Sequence, residues 1–246
     1  MILSRIVAPL CLSMLCLAFT AKEKDGKYNA PGYCAAEVKF VCPVDGHEFA
    51  SPVAYSTTNE GTRRDLMQVN GEGKLYEHLV HQCPKCHYSG TREDFEEELT
   101  VDQRNIILKY LAKNAPRKLD QVQENIVAAD IYKLLGAYDY ARADFYLYAS
   151  YLLRNKPAKI AERKAYQLKA AELYLNRDFG TDAESMKAKA QNYYLAAELY
   201  RRAGRFDLAT EMFAQADNVA VKPDGLASLI EEQSSLALER NDNNNL

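Results

Sequence analysis

"NIVAADIYKLLGAYDYARADFYLYASYLL", residues 125–153, carries apolar residues at helical spacing on both sides of Gly136. "NYYLAAELYRRAGRFDLATEMFAQA", residues 192–216, repeats the design around Gly204. With the two glycines superimposed, Ala129 falls on Ala197, Tyr132 on Tyr200, Tyr138 on Phe206, Ala141 on Ala209 and Phe145 on Phe213. Small alanines let two helices approach closely, and an aromatic ring fills the groove beside them. The repeat therefore predicts helix–turn–helix units.

Working outward, "AERKAYQLKAAELYLNR" supplies one long helix between these blocks, and "DAESMKAKAQNYYLAAELYRRAG" supplies the next. Three prolines (116, 157, 223) and four glycines (136, 180, 204, 225) punctuate residues 100–240 where helices should end. The small and aromatic positions are those of a tetratricopeptide (TPR) hairpin, with irregular repeats, so a TPR-like α-helical domain is expected over residues 100–240. Eleven tyrosines lie between 132 and 200. Packing between helices with hydroxyls at the rim is the plainer reading; a tyrosine stripe along a peptide groove is the sharper one. Arg201, Arg202 and Arg205 cluster near a repeat turn, either as partner anchors or as a solvated face. The tail "NDNNNL", 241–246, is polar enough to be disordered.

Towards the N-terminus the chemistry changes. Every histidine (His47, His78, His81, His87) and four of the six cysteines (Cys34, Cys42, Cys83, Cys86) fall within residues 34–87. Residues 38–41, 66–69 and 75–81 read as short strands, with Asn70-Gly71 as a tight turn. So small a β segment, 34–98, has few large apolar residues and needs a metal or disulfide staple. The expected fold class is thus mainly α: a TPR-like helical hairpin bundle preceded by a small β, zinc-ribbon-like segment.

Residues 1–21 hold one charge, Arg5, ahead of an apolar run from Ile6 to Phe19. That is a signal-peptide layout, shorter than a spanning helix. An exported, periplasmic or secreted protein is expected, with lipidation at Cys11 or Cys16 disfavoured by the leucine before each. The net charge of −3 makes nucleic acid a poor partner. No phosphate loop, dinucleotide fingerprint or nucleophile elbow appears, so no enzyme is expected. The expected partner is another polypeptide, or a second copy, held on the helical domain.

The chemistry then turns on two stretches. Cys83-Pro-Lys-Cys86 fits one turn of a zinc ribbon, and Cys42-Pro-Val-Asp45-Gly46 has the same frame with Asp where a second Cys would stand. Over residues 38–220 the sequence resembles an uncharacterised bacterial family that joins a Cys-Pro-x-Cys-Gly ribbon to TPR-like helices. The residues that carry the likeness are Cys42-Pro43-x-x-Gly46-x-x-Phe49, Asp65-Leu66, Tyr76, Cys83-Pro84-x-Cys86-x-Tyr88 and the Ala/Tyr-rich helices after Phe95. The resemblance implies a structural zinc and a scaffold, and no reaction. Two departures stand out: Asp45 in place of a thiol, and His87 in place of a glycine. Three thiolates remain, Cys42, Cys83 and Cys86; Asp45 and His47 compete equally for the fourth position, ahead of Cys34. An oxidising compartment offers a rival, with Cys83–Cys86 or Cys34–Cys42 disulfides. A second rival is Cys83-x-x-Cys86-His87 as a haem-attachment motif or a thiol–disulfide exchange pair.

Overall fold

Gly136 and Gly204 both end helices in the left-handed conformation, at φ 72° and 82°. The same bonds close each turn. The N–H of Ala137 donates to the Tyr132 carbonyl at 2.9 Å, and that of Arg205 to the Tyr200 carbonyl at 2.8 Å. This six-to-one bond satisfies a carbonyl that the ending helix would otherwise leave bare. The two turns join α3 (Gln121–Leu134) to α4 (Asp139–Leu152), and α6 (Ala183–Arg202) to α7 (Phe206–Asp217). Ala129, Ala197 and Ala209 are fully buried, and Phe145 and Phe213 nearly so, as the superposition requires. It is weakest at Tyr138, 75% exposed while Phe206 is half-buried, and Ala141 and Tyr132 are half-buried where Ala209 and Tyr200 are buried.

The computed structural model describes residues 32–69, 71–114 and 119–243. The expected signal peptide, and residues 244–246 of the tail, lie outside the described residues. After a strand hairpin come α1 (Arg92–Glu96), α2 (Val101–Asn114), the α3–α4 pair, α5 (Ile160–Leu175), the α6–α7 pair and α8 (Leu226–Leu238). From α3 to α8 each helix packs on its neighbour in sequence. The protein is mainly helical with a small antiparallel sheet ahead of the helices, as its sequence predicts. No helix among the described residues is long and apolar enough to cross a membrane.

The β segment departs from expectation in detail. Its main element is a long hairpin, β1 (Tyr33–Val41) paired antiparallel with β2 (Glu48–Thr57). The sequence reading found the end of β1 and missed β2. Pro52 interrupts β2, yet a strand paired on one side only can carry a proline whose missing N–H faces away from the ladder. Residues 66–69 and 75–81 are not the strands expected. Leu66 is left-handed (φ 62°), residues Gly71–His78 form a 3₁₀ helix, and only the two-residue strand β3 (His81–Gln82), paired with β4 (Ser89–Gly90), remains. The cause is tertiary: Met67 and Tyr76 are buried among residues of α4–α8.

Residues 62–69 and 71–79 therefore form a strap across the helices. The Tyr194 hydroxyl donates to the Arg64 carbonyl at 2.6 Å, and the Tyr151 hydroxyl to the Asp65 carbonyl. The fully buried Asp65 carboxylate lies in a fork of Arg154 and Arg202. Arg201 and Arg202, both fully buried, also pair with the buried Glu198. Neither arginine is a solvated face or a partner anchor; both are spent inside the fold, and Arg205 alone of the three is exposed.

The β segment finds its core in the helices. Phe40, Cys42, Cys83, Tyr88 and Phe95 cluster with Ile107 and Leu111 of α2 and Val127 and Ile131 of α3. Asp94 adds a polar tie: one carboxylate oxygen caps α1 through the Thr91 N–H at 2.6 Å, and the other accepts the Tyr132 hydroxyl at 2.7 Å.

Candidate metal centre

Both Cys-Pro turns are hairpin tips. The first lies between β1 and β2, where Val41 pairs with Glu48; the second lies between β3 and β4, where Gln82 pairs with Ser89. The Cys42 N–H donates to the His47 carbonyl, and the Cys83 N–H to the Tyr88 carbonyl, both at 2.9 Å. The Gly46 N–H returns to Cys42, and the His87 N–H to Cys83, again at 2.9 Å. Both turns put their fifth residue in the left-handed region: Gly46 at φ 71° and His87 at φ 66°. Backbone N–H groups of Val44 and Asp45 donate to the Cys42 sulfur, and those of Lys85 and Cys86 to the Cys83 sulfur. The two turns thus share one backbone. In it Asp45 corresponds to Cys86, Gly46 to His87, and His47 to Tyr88.

That correspondence brings Asp45, and not His47, to the three thiols. One ligand atom from each of Cys42, Asp45, Cys83 and Cys86 lies within 4.8 Å of all the others. His47 is not in the group: it stands one step beyond the fifth position, like Tyr88, and contributes its backbone N–H to Asp45 Oδ1 at 3.1 Å. Cys34 is not in it either. It sits at a bulge in β1, eight residues from Cys42 along one strand and thus about 26 Å away. The same distance rules out a Cys34–Cys42 disulfide.

Two of the six edges can be set against those of a tetrahedral site. Cys42 Sγ and Cys86 Sγ are 3.5 Å apart, and Cys83 Sγ and Asp45 Oδ1 are 3.7 Å apart. These are opposite edges of the four-atom group. With zinc–sulfur bonds of about 2.3 Å and zinc–oxygen bonds of about 2.1 Å, tetrahedral edges come to about 3.6–3.8 Å. Asp45 Oδ2 is buried without a hydrogen-bond partner, and the Lys85 ammonium stands 3.7 Å from it. A buried carboxylate oxygen left that way calls for a cation. Burial opposes the charge on Asp45, but the His47 N–H, the neighbouring thiols and Lys85 outweigh it and hold the carboxyl below its usual range. The Cys42 thiol is pushed up by its contact with Cys86 and by burial, and the Cys83 thiol by burial.

The other histidines have separate places. The buried His81 ring packs against Phe40 at 4.7 Å and lies 3.0 Å from Ser51 Oγ; burial depresses its pKa to about 4. His78 is bonded to Tyr33, and the His87 ring lies 3.2 Å from the Gln82 amide. Sequence reasoning missed Lys85 as the counter-charge to Asp45. Its signal was there: the lysine sits between Pro84 and Cys86, inside the second turn.

A family model described as "Uncharacterized protein conserved in bacteria (DUF2225)" matches residues 36–236. The chain belongs to this family. No curated protein and no solved structure matches it. The DUF2225 match spans both cysteine turns, the strap and α2 to α7, with most of α8, so it covers the β segment and the helices together.

Proposed function

We propose that this DUF2225 protein is a non-enzymatic binding module: a structural zinc, held by Cys42, Asp45, Cys83 and Cys86, fixes the ribbon, and the TPR-like helices hold a partner polypeptide or a second copy. One observation carries the metal half. Two turns with the same backbone bring three thiols and a carboxylate within 4.8 Å of one another, two opposite edges measuring 3.5 and 3.7 Å. The site is structural because the protein supplies all four positions, and the sulfurs of Cys42 and Cys83 lie in the core that the ribbon shares with α2 and α3. The binding half follows from the architecture, since a row of helices packed neighbour on neighbour presents one extended face. The signal-peptide layout of residues 1–21 supports the reading that this module works outside the cytoplasm.

The test is one preparation of the exported protein, with metal by elemental analysis, the visible spectrum, and intact mass with and without thiol alkylation. About one zinc per chain and no Soret band is the expected result. A covalent haem mass would transfer the reading to Cys83, Cys86 and His87 as a redox centre. Alkylation-resistant cysteines without metal would establish a disulfide staple instead.

A further inference from the structure

The three clustered sulfurs are not equivalent. Cys42 and Cys83 are buried, and each accepts backbone N–H bonds from its own turn. Cys86 is half-buried, the one residue of the three with a face to solvent. Its sulfur lies 3.5 Å from that of Cys42, in the other turn. We propose that Cys86 is a peroxide-reactive thiol with Cys42 as its resolving partner, so that oxidation exchanges the metal staple for a Cys42–Cys86 disulfide between the two turns. The inference rests on the metal-centre reading and deepens it.

Access and contact fall on the same pair. A thiolate must meet peroxide from solvent, and the sulfenic acid it forms needs a second thiol beside it to go on to a disulfide. Cys86 supplies the first and Cys42 the second. An S–S bond is about 2.05 Å long, so the two sulfurs need to close by only about 1.5 Å.

The rival pair is harder to join. Cys83 and Cys86 share one turn, and the Lys85 and Cys86 N–H groups that shape it are bonded to the Cys83 sulfur. That sulfur rests against Asp45 Oδ1 at 3.7 Å. A bond across the turn would pull it from both contacts, whereas the Cys42–Cys86 bond leaves it where it is. Cys34, about 26 Å along β1 from Cys42, is out of reach.

The ribbon also survives the exchange. A bond between residues 42 and 86 keeps the two hairpin tips together and restrains a 44-residue separation in the unfolded chain. Asp45 Oδ2 retains the Lys85 ammonium at 3.7 Å, so departure of the ion strands no carboxylate.

With a hydroperoxide as oxidant the step balances. The Cys86 thiolate attacks one peroxide oxygen, the O–O bond breaks, and hydroxide leaves. The Cys42 thiolate then attacks the sulfenic sulfur, the S–S bond forms, the S–O bond breaks, and a second hydroxide leaves. Two electrons pass from the sulfurs to the peroxide. The ion, left with Cys83 and Asp45, goes to solvent.

The test starts from the exported protein, reduced and loaded with zinc, and adds excess hydrogen peroxide. A metallochromic dye reads released zinc, and peptide mapping without reduction reads the linkage. About one zinc per chain should be released, with a peptide joining Cys42 to Cys86 and with Cys34 and Cys83 open to alkylation after denaturation. Dithiothreitol should reverse the link and restore zinc binding. The oxidised, zinc-free protein should unfold at a higher denaturant concentration than the reduced, zinc-free protein. A Cys83–Cys86 peptide, a link through Cys34, or sulfinic acid at Cys86 without a link overturns the inference. So does zinc that stays bound with its thiols unchanged, and so do equal unfolding midpoints, which would mean that the bond is no staple. A chain that takes up no zinc ends the metal-centre reading before any oxidant is added, so the two failures are told apart.

Discussion

The two cysteine turns have one backbone and two chemistries. In the first, the fourth and fifth residues are Asp45 and Gly46; in the second, they are Cys86 and His87. The first turn has the relaxed backbone and the weaker ligand. The second has the stronger ligand and a β-carbon in the left-handed region. Backbone geometry and ligand identity are therefore separable properties of a metal-binding turn, because the hydrogen bonds that shape it come from the main chain.

The largest effect should follow from attacking what the turns share. Cys83→Ser, or removal of the metal with a chelator, should destabilise the protein by on the order of 5 kcal/mol, since metal binding free energy is folding free energy. The shared core with α2 and α3 keeps the loss below that of an isolated finger. Chemical denaturation before and after chelation measures it; an unchanged midpoint would mean that no metal contributes. Next comes the difference between the turns. Asp45→Ala should weaken zinc at least tenfold in a competition titration, His47→Ala should leave it within twofold, and Asp45→Cys should tighten it at least tenfold. An effect of His47→Ala as large as that of Asp45→Ala would break the correspondence drawn here.

A proton count sharpens the same contrast. The Asp45 carboxyl is held below its usual range, so at neutral pH it is already charged and releases no proton when metal binds. A cysteine thiol there would be protonated in the metal-free protein and would have to release one. Asp45→Cys should therefore raise the number of protons released per metal at pH 7 by about one. Calorimetry in buffers of different ionisation enthalpy reads that number, and a count unchanged by the substitution would mean that residue 45 is not a ligand.

How legible this was depended on the range of the interactions concerned. Gly136 and Gly204 set turns by local bonds, so the helical hairpins could be read directly. The frame Cys-Pro-x-x likewise announced both hairpin turns that bring the thiols together. The choice between Asp45 and His47 could not be read, because it needs the knowledge that His47 and Tyr88 are equivalent, and only the paired strands supply that. The strap was misread for a related reason. Leu66, Met67 and Tyr76 are apolar enough for strands, but their partners are helices far downstream in the sequence. Arg202 looked like a surface residue because Asp65, which shares its charge with Glu198, lies far upstream.

The smallest effects test the backbone half of the comparison, and they should have opposite signs. A side chain in the left-handed region costs roughly 1 kcal/mol or more against the following carbonyl. His87→Gly should relieve that cost, less what glycine adds to the freedom of the unfolded chain and the loss of the ring's contact with the Gln82 amide. A net gain of about 0.5 kcal/mol is expected. Gly46→Ala should lose about 1 kcal/mol, and the loss is strain alone, because a β-carbon there meets nothing within 4 Å. Both are measurable by denaturant titration of the metal-loaded protein. If His87→Gly destabilises instead, the imidazole is supporting the second turn by more than its backbone costs, and the two turns differ in architecture as well as in ligand.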